Sequence, residues 1–122
     1  MSLSSNNAVR GLWTGTQAAT TATVTVGNGN NTQALAVPLK AEVNVVGTSS
    51  ATADTGVRLP AGVIAGDTVL VFNNTANAVA VYPVKGGEVD ALTADAAFAV
   101  AAGKKAVFTA VSGKNWVAIL SA

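Results

Sequence analysis

Cysteine and histidine are both absent from this chain of 122 residues. Without cysteine there are no disulfides and no thiolate metal sites. Without histidine the usual base of a catalytic triad and the commonest metal ligand are missing as well. Charge is scarce: 11% of the residues are charged, under half the ordinary share of about 25%. Seven Lys and Arg against six Asp and Glu leave a formal charge of +1, which is no electrostatic footprint for nucleic acid. Long apolar runs are lacking too. The most apolar stretch, Ala96 to Ala102, is mostly alanine and far too short to cross a bilayer. There is no Gly-x-Ser-x-Gly elbow and no lipidation motif. The opening Met1-Ser2-Leu3-Ser4-Ser5-Asn6-Asn7 has no basic segment followed by an apolar one. No secretory signal is expected from it, and the expected place of synthesis is a cytoplasm.

What the chain has instead is alanine and valine, 25 and 19 of them, within an overall hydrophobic content of 50%. That excludes a disordered chain, which combines few apolar residues with much charge. The length suits one domain, and such a domain buries roughly two-thirds of its unfolded surface.

Two regions are expected. Residues 1–33 read as an N-terminal arm followed by a first strand, and residues 34–122 as the main domain. The arm is rich in Ser, Thr, Asn, Gly and Ala, with Arg10 as its one charge up to Asn31. It is too thin in bulky side chains to form a core alone. Its candidate interface residues are Val9, Arg10, Leu12 and Trp13. Leu12 and Trp13 either fold back onto the chain's own core or anchor in a partner subunit, where tryptophan is enriched. Thr21, Thr23 and Thr25 alternate with Ala22, Val24 and Val26, the period of a half-buried strand. Gly27 to Asn31 then reads as a hairpin loop.

Ala34 to Val46 predicts one or two strands, with Pro38 at an edge or a break. Val57 and Leu59 flank Arg58 in a short strand ended by Pro60. Thr68 to Phe72 is apolar on both faces, as in a central strand. Asn73 to Asn77 is a turn cluster, and Ala78 to Tyr82 reads as the returning arm of a hairpin. A second hairpin pairs Ala106–Val111 with Trp116–Leu120, with Trp116, Ala118 and Leu120 on one face and Val117 and Ile119 on the other. A single helical turn is expected around Ala91 to Ala97. No long 3.6-residue stripe exists. The expected fold is all-β: a β-sandwich or barrel-like domain of short antiparallel strands with an extended N-terminal arm.

Positive evidence for catalysis is thin. Glu88 and Asp90 are two residues apart and, if extended, share a face; paired carboxylates serve acid/base chemistry or Ca²⁺. Their place after Gly86-Gly87 reads more simply as a solvated loop. Lys104-Lys105 is a pair, not a patch. No catalytic, cofactor or metal residue is assigned, and no enzyme is expected. A surface with so little charge has little electrostatic reason to remain apart from copies of itself.

The segments Gly56-Val57-Arg58-Leu59-Pro60, Gly66-Asp67-Thr68-Val69-Leu70-Val71-Phe72-Asn73 and Ala78-Val79-Ala80-Val81-Tyr82-Pro83, followed by Ala101-Ala102-Gly103-Lys104, Phe108 and Trp116 to Ile119, form a pattern. It resembles a β module of tailed-bacteriophage virion proteins, and among these the small capsid decoration, or cement, proteins in size and composition. The resemblance covers roughly Gly56 to Leu120. It implies a homotrimeric knob on the capsid exterior that bridges major capsid protein subunits, with no nucleic acid, membrane or cofactor involved. Its alternative is a head-fibre or tail component that binds a host surface glycan or protein. In the pattern Tyr82 and Trp116 read as packing residues; the alternative needs exposed aromatics, for which Trp13, Tyr82 and Trp116 are available besides three Phe.

Overall fold

Alternation of β-branched and small residues forms the strands, and the partner of each strand decides the architecture. A computed structural model describes residues 21–27, 30–49 and 55–121. In chain order its strands are β1 (Thr21–Val26), β2 (Val37–Pro38), β3 (Val43–Ser49), β4 (Gly56–Arg58) and β5 (Thr68–Asn73). Then follow β6 (Val79–Tyr82), β7 (Glu88–Val89), β8 (Phe98–Val100), β9 (Lys105–Ala110) and β10 (Asn115–Leu120). No helix occurs among the described residues.

The strands form two sheets, ordered β1-β3-β5-β9-β10-β7 and β2-β4-β6-β8. From β1 to β9 the chain changes sheet at every strand. In the first half, strands two apart in sequence lie side by side and parallel: β1 with β3 and β3 with β5, and likewise β2 with β4 and β4 with β6. This is solenoid-like stacking, each coil laying one rung on each sheet. The direction then reverses. β8 pairs antiparallel with β6, β9 with β5 and β10 with β9, while β7 adds two residues parallel to β10.

The expected all-β class is therefore correct, and the expected sandwich or barrel of antiparallel strands is not. The first expected hairpin does not form either. β5 and β6 lie in different sheets, so Asn73 to Asn77 is a crossing and not a hairpin turn. β1 likewise forms no hairpin with the strand that follows it, because β2 lies in the other sheet. The second hairpin is present as β9 and β10. Pro38 lies in β2, on the edge of the smaller sheet, where its missing N–H costs no ladder bond. Ala91 to Ala97 forms turns, closed by Leu92 N–H to Val89 O and Ala96 N–H to Thr93 O, and no helix.

One core lies between the sheets. Val24, Val26, Val46, Val69, Val71, Ala106, Phe108, Ala110 and Trp116 meet Val57, Val79, Val81 and Val100 there, with Leu39, Leu59 and Val89. Phe98 and Phe108 join the sheets edge to face, their centroids 5.5 Å apart. Two asparagines are buried with these residues. Asn73 Nδ2 donates to Asn77 O and Val100 O, and its Oδ1 accepts from the Thr75 N–H and hydroxyl. Asn44 Nδ2 donates to Ala41 O and Leu70 O, but its Oδ1 has no donor among the described residues.

Replacing Asn73 by Ala removes a side chain that serves Asn77 O, Val100 O and Thr75. An unmet buried polar group costs about 1–3 kcal/mol. Asn73→Ala is therefore expected to lower unfolding free energy by about 2–4 kcal/mol, read from urea midpoints at unchanged slope. A loss below about 0.5 kcal/mol would show that these groups find other partners.

Candidate association surface

Val9, Arg10, Leu12 and Trp13 lie outside the described residues. Glu88 is exposed at the start of β7. Asp90 sits just past β7 at a positive φ of 53°. Its N–H donates to Trp116 O, and its Oδ1 accepts the Ala118 N–H at 2.8 Å. One carboxylate oxygen is thus spent capping the side of β10 beyond the end of β7. Among the described residues no three acidic groups are arranged to hold a metal ion.

Trp116 is 1% exposed and belongs to the core. Tyr82 is half-buried, with its ring against Gly56: a Cβ there would lie 2.8 Å from Tyr82 Cε2 and 2.8 Å from Ala80 O. Glycine at this point of the Gly56 to Pro60 segment lets two strands and a ring approach closely. Lys105 extends from β9 over the face of Phe72, 4.9 Å from its centroid.

Asp95 organises the loop between β7 and β8 from another positive φ, 68°. Its Oδ1 accepts from Gln33 Nε2 at 2.9 Å and from the Gly86 N–H at 2.6 Å. Gln33 Nε2 also donates to Pro83 O. The Gln33 side chain chiefly, then the Gly86 N–H, with Lys85 adding its charge, holds the Asp95 carboxyl below its ordinary value. Nothing in the sequence around Asp95 announced this role, since Gln33 is 62 residues away.

The surface with most to explain is the outer face of the six-stranded sheet. Inward and outward residues alternate strictly along β5 and β9. The ladder registers align Thr21, Val43, Leu70, Val107 and Ile119 in one row across five strands. A neighbouring row holds Thr23, Val45, Phe72 and Lys105, and a third holds Thr68, Thr109 and Val117. Seven of these residues are large and apolar, and Lys105 is the one charged residue among them. Exposure is greatest toward the β10 side, with Ile119 74% and Val117 44% exposed. Parallel sheets ordinarily have both faces covered; here no described element covers this one. With strands about 4.8 Å apart and a rise of about 3.4 Å per residue, the patch is roughly 24 Å by 17 Å, about half the area that one partner gives to a standard interface.

The chain matches no family model, no curated protein and no solved structure.

The depressed pKa of Asp95 sets a sign for pH dependence. Its bonds stabilise the fold above the unfolded carboxyl value of about 3.9 and are lost as pH falls through the lower folded value. Asp95→Asn retains an acceptor oxygen and tolerates positive φ. At pH 7 the wild type should have the higher urea midpoint, and the gap should close as pH falls below about 3.9. A gap independent of pH would mean that the Asp95 charge is not what matters.

Proposed function

We propose that this protein is a structural virion component that associates with copies of itself, as a homotrimer, and decorates and stabilises an icosahedral phage capsid. On this reading it sits on the capsid exterior and bridges major capsid protein subunits. The observation that carries the proposal is the apolar outer face of the six-stranded sheet. Its occupant is a second copy of the chain, since a near-neutral surface with one lysine among its outward rows asks for an apolar partner of similar extent. The resemblance supports the same reading. Val57, Leu59, Asn73, Val81, Pro83, Phe108 and Trp116, which help carry it, are all buried, so the pattern describes a body built to one plan. Stabilisation would come from modest contacts repeated over many lattice positions.

The alternative, a fibre or tail component holding a host glycan, calls for aromatic side chains on an accessible shelf. Trp116 is in the core and the Tyr82 ring lies against Gly56. No described observation favours it.

Val117 and Ile119 are exposed, so replacing both by Asp leaves the core intact. The doubly substituted protein should fall from trimer to monomer in size-exclusion chromatography with light scattering, with its far-UV circular dichroism unchanged, and should lose binding to undecorated heads. A wild type that is monomeric at high concentration and does not bind such heads would overturn the proposal. So would a trimer that survives the two aspartates.

A further inference from the structure

Arg58 is the one charged residue in the strands of the smaller sheet. Its neighbour Val57 points into the core, so Arg58 points to the outer side of that sheet. There it is half-buried and lines a cavity of about 220 Å³ with Gln33, Ala34, Val84 and Lys85. Arg58 Nη1 donates to Gln33 O at 3.0 Å and to Ala34 O at 3.3 Å. These bonds hold the guanidinium in place. They leave Nε and Nη2, whose N–H groups run parallel along one edge, without an acceptor among the described residues.

The other walls are held as firmly. Lys85 lies in a turn closed by the Gly87 N–H on Val84 O at 2.8 Å. The Gln33 side chain is tied to Pro83 O and to Asp95. Arg58 and Lys85 thus bring two positive charges to one small space. Asp95 offsets one of them from beside the cavity, which it does not line, and its Oδ1 is taken by Gln33 and Gly86. A positive charge remains in excess. A fixed guanidinium edge is the partner of a planar anion, which it grips with two parallel bonds. Ala34, Val84 and the stems of Arg58 and Lys85 make the walls apolar. A bare inorganic anion gains nothing from such walls, whereas an aliphatic stem does. The cavity is smaller than the roughly 300–1,000 Å³ of drug-sized sites, so it suits one small group.

We propose that Arg58 and Lys85 form a pocket for a carboxylate on a short aliphatic stem, as carried by a small free acid or by an acidic side chain of a partner protein. The carboxylate bridges Nε and Nη2 of Arg58, Lys85 adds its charge from the rim, and the stem lies on Val84 and Ala34. The pocket belongs to the smaller sheet and makes no use of the apolar face of the six-stranded sheet. It therefore stands or falls apart from the capsid reading.

The test is a titration of the full-length protein at low salt, followed by the amide NMR signals of Ala34, Arg58, Val84 and Lys85. Butyrate should shift these signals with a dissociation constant of about millimolar order. Acetate, with less stem, should bind about fivefold more weakly. Arg58→Lys keeps the charge and loses the fork, and should weaken butyrate about tenfold. Because Arg58 also fastens Gln33 and Ala34, Lys85→Gln is the second variant; it should weaken binding about threefold, while Lys104→Gln, outside the cavity, should not. Tighter binding of a glutamyl tripeptide with blocked ends than of butyrate would assign the pocket to a partner's acidic side chain. Tighter binding of butyrate would assign it to a free acid, and both results uphold the pocket. Inorganic phosphate binding as tightly as butyrate would overturn the carboxylate assignment. An absence of shifts at tens of millimolar butyrate would overturn the site, as would equal losses in Lys85→Gln and Lys104→Gln.

Discussion

The register of the parallel ladder β1-β3-β5 governs everything else in this molecule. Side chains alternate across a sheet with a period of two, so a slip of one residue exchanges inside for outside. In most half-buried sheets the apolar pattern forbids that slip. Here it does so weakly, because Val43 and Val45 face out while Val46 faces in, and β5 is apolar on both faces. The buried asparagines supply the missing specification. Asn44 reaches Leu70 O on the neighbouring strand, and Asn73 reaches Val100 O in the other sheet. A slipped register would place these amides on the outer face and leave their carbonyl partners unmet in the core, at a cost apolar packing does not recover. Polar groups in a core of valine thus act as alignment marks.

The strands were legible in the sequence because alternation, proline and glycine act locally. Thr21 to Val26, the central character of Thr68 to Phe72, the edge position of Pro38 and the hairpin of β9 and β10 all follow from short-range patterns. Pairing was not legible where it depends on distance. Asn73 to Asn77 has the length and composition of a hairpin turn, yet the chain there crosses to the opposite sheet. A period of two says that a strand is half-buried and says nothing of its partner. The candidate surface divides in the same way. That Val117 and Ile119 share a face was readable from β10 alone. That they continue a row through Val107, Leu70 and Val43 requires the registers of three ladders. The bonds of Gln33 to Asp95 and Pro83 join positions too far apart for any motif.

The residues that carry the family resemblance describe the body more than its task. Gly56 admits the Tyr82 ring, Val57 and Val81 fill the core, and Asp67 accepts the Ile64 N–H through its carboxylate. These are requirements of coil stacking and turn geometry. The outward residues Val107 and Ile119 contribute little to that plan.

The coils are unequal in length. From Thr21 to its partner Val43 the chain takes 22 residues, and from Val43 to Leu70 it takes 27. Strand register is kept all the same, so the difference is absorbed in the connections. The tolerance is greatest where the chain passes between sheets; within a rung one extra residue, Gly47 of β3, is taken up as a bulge opposite Val24 and Thr25. A lineage of such proteins would therefore drift in length by whole loops or whole coils, changing the height of the body along the stacking axis while its cross-section stays constant.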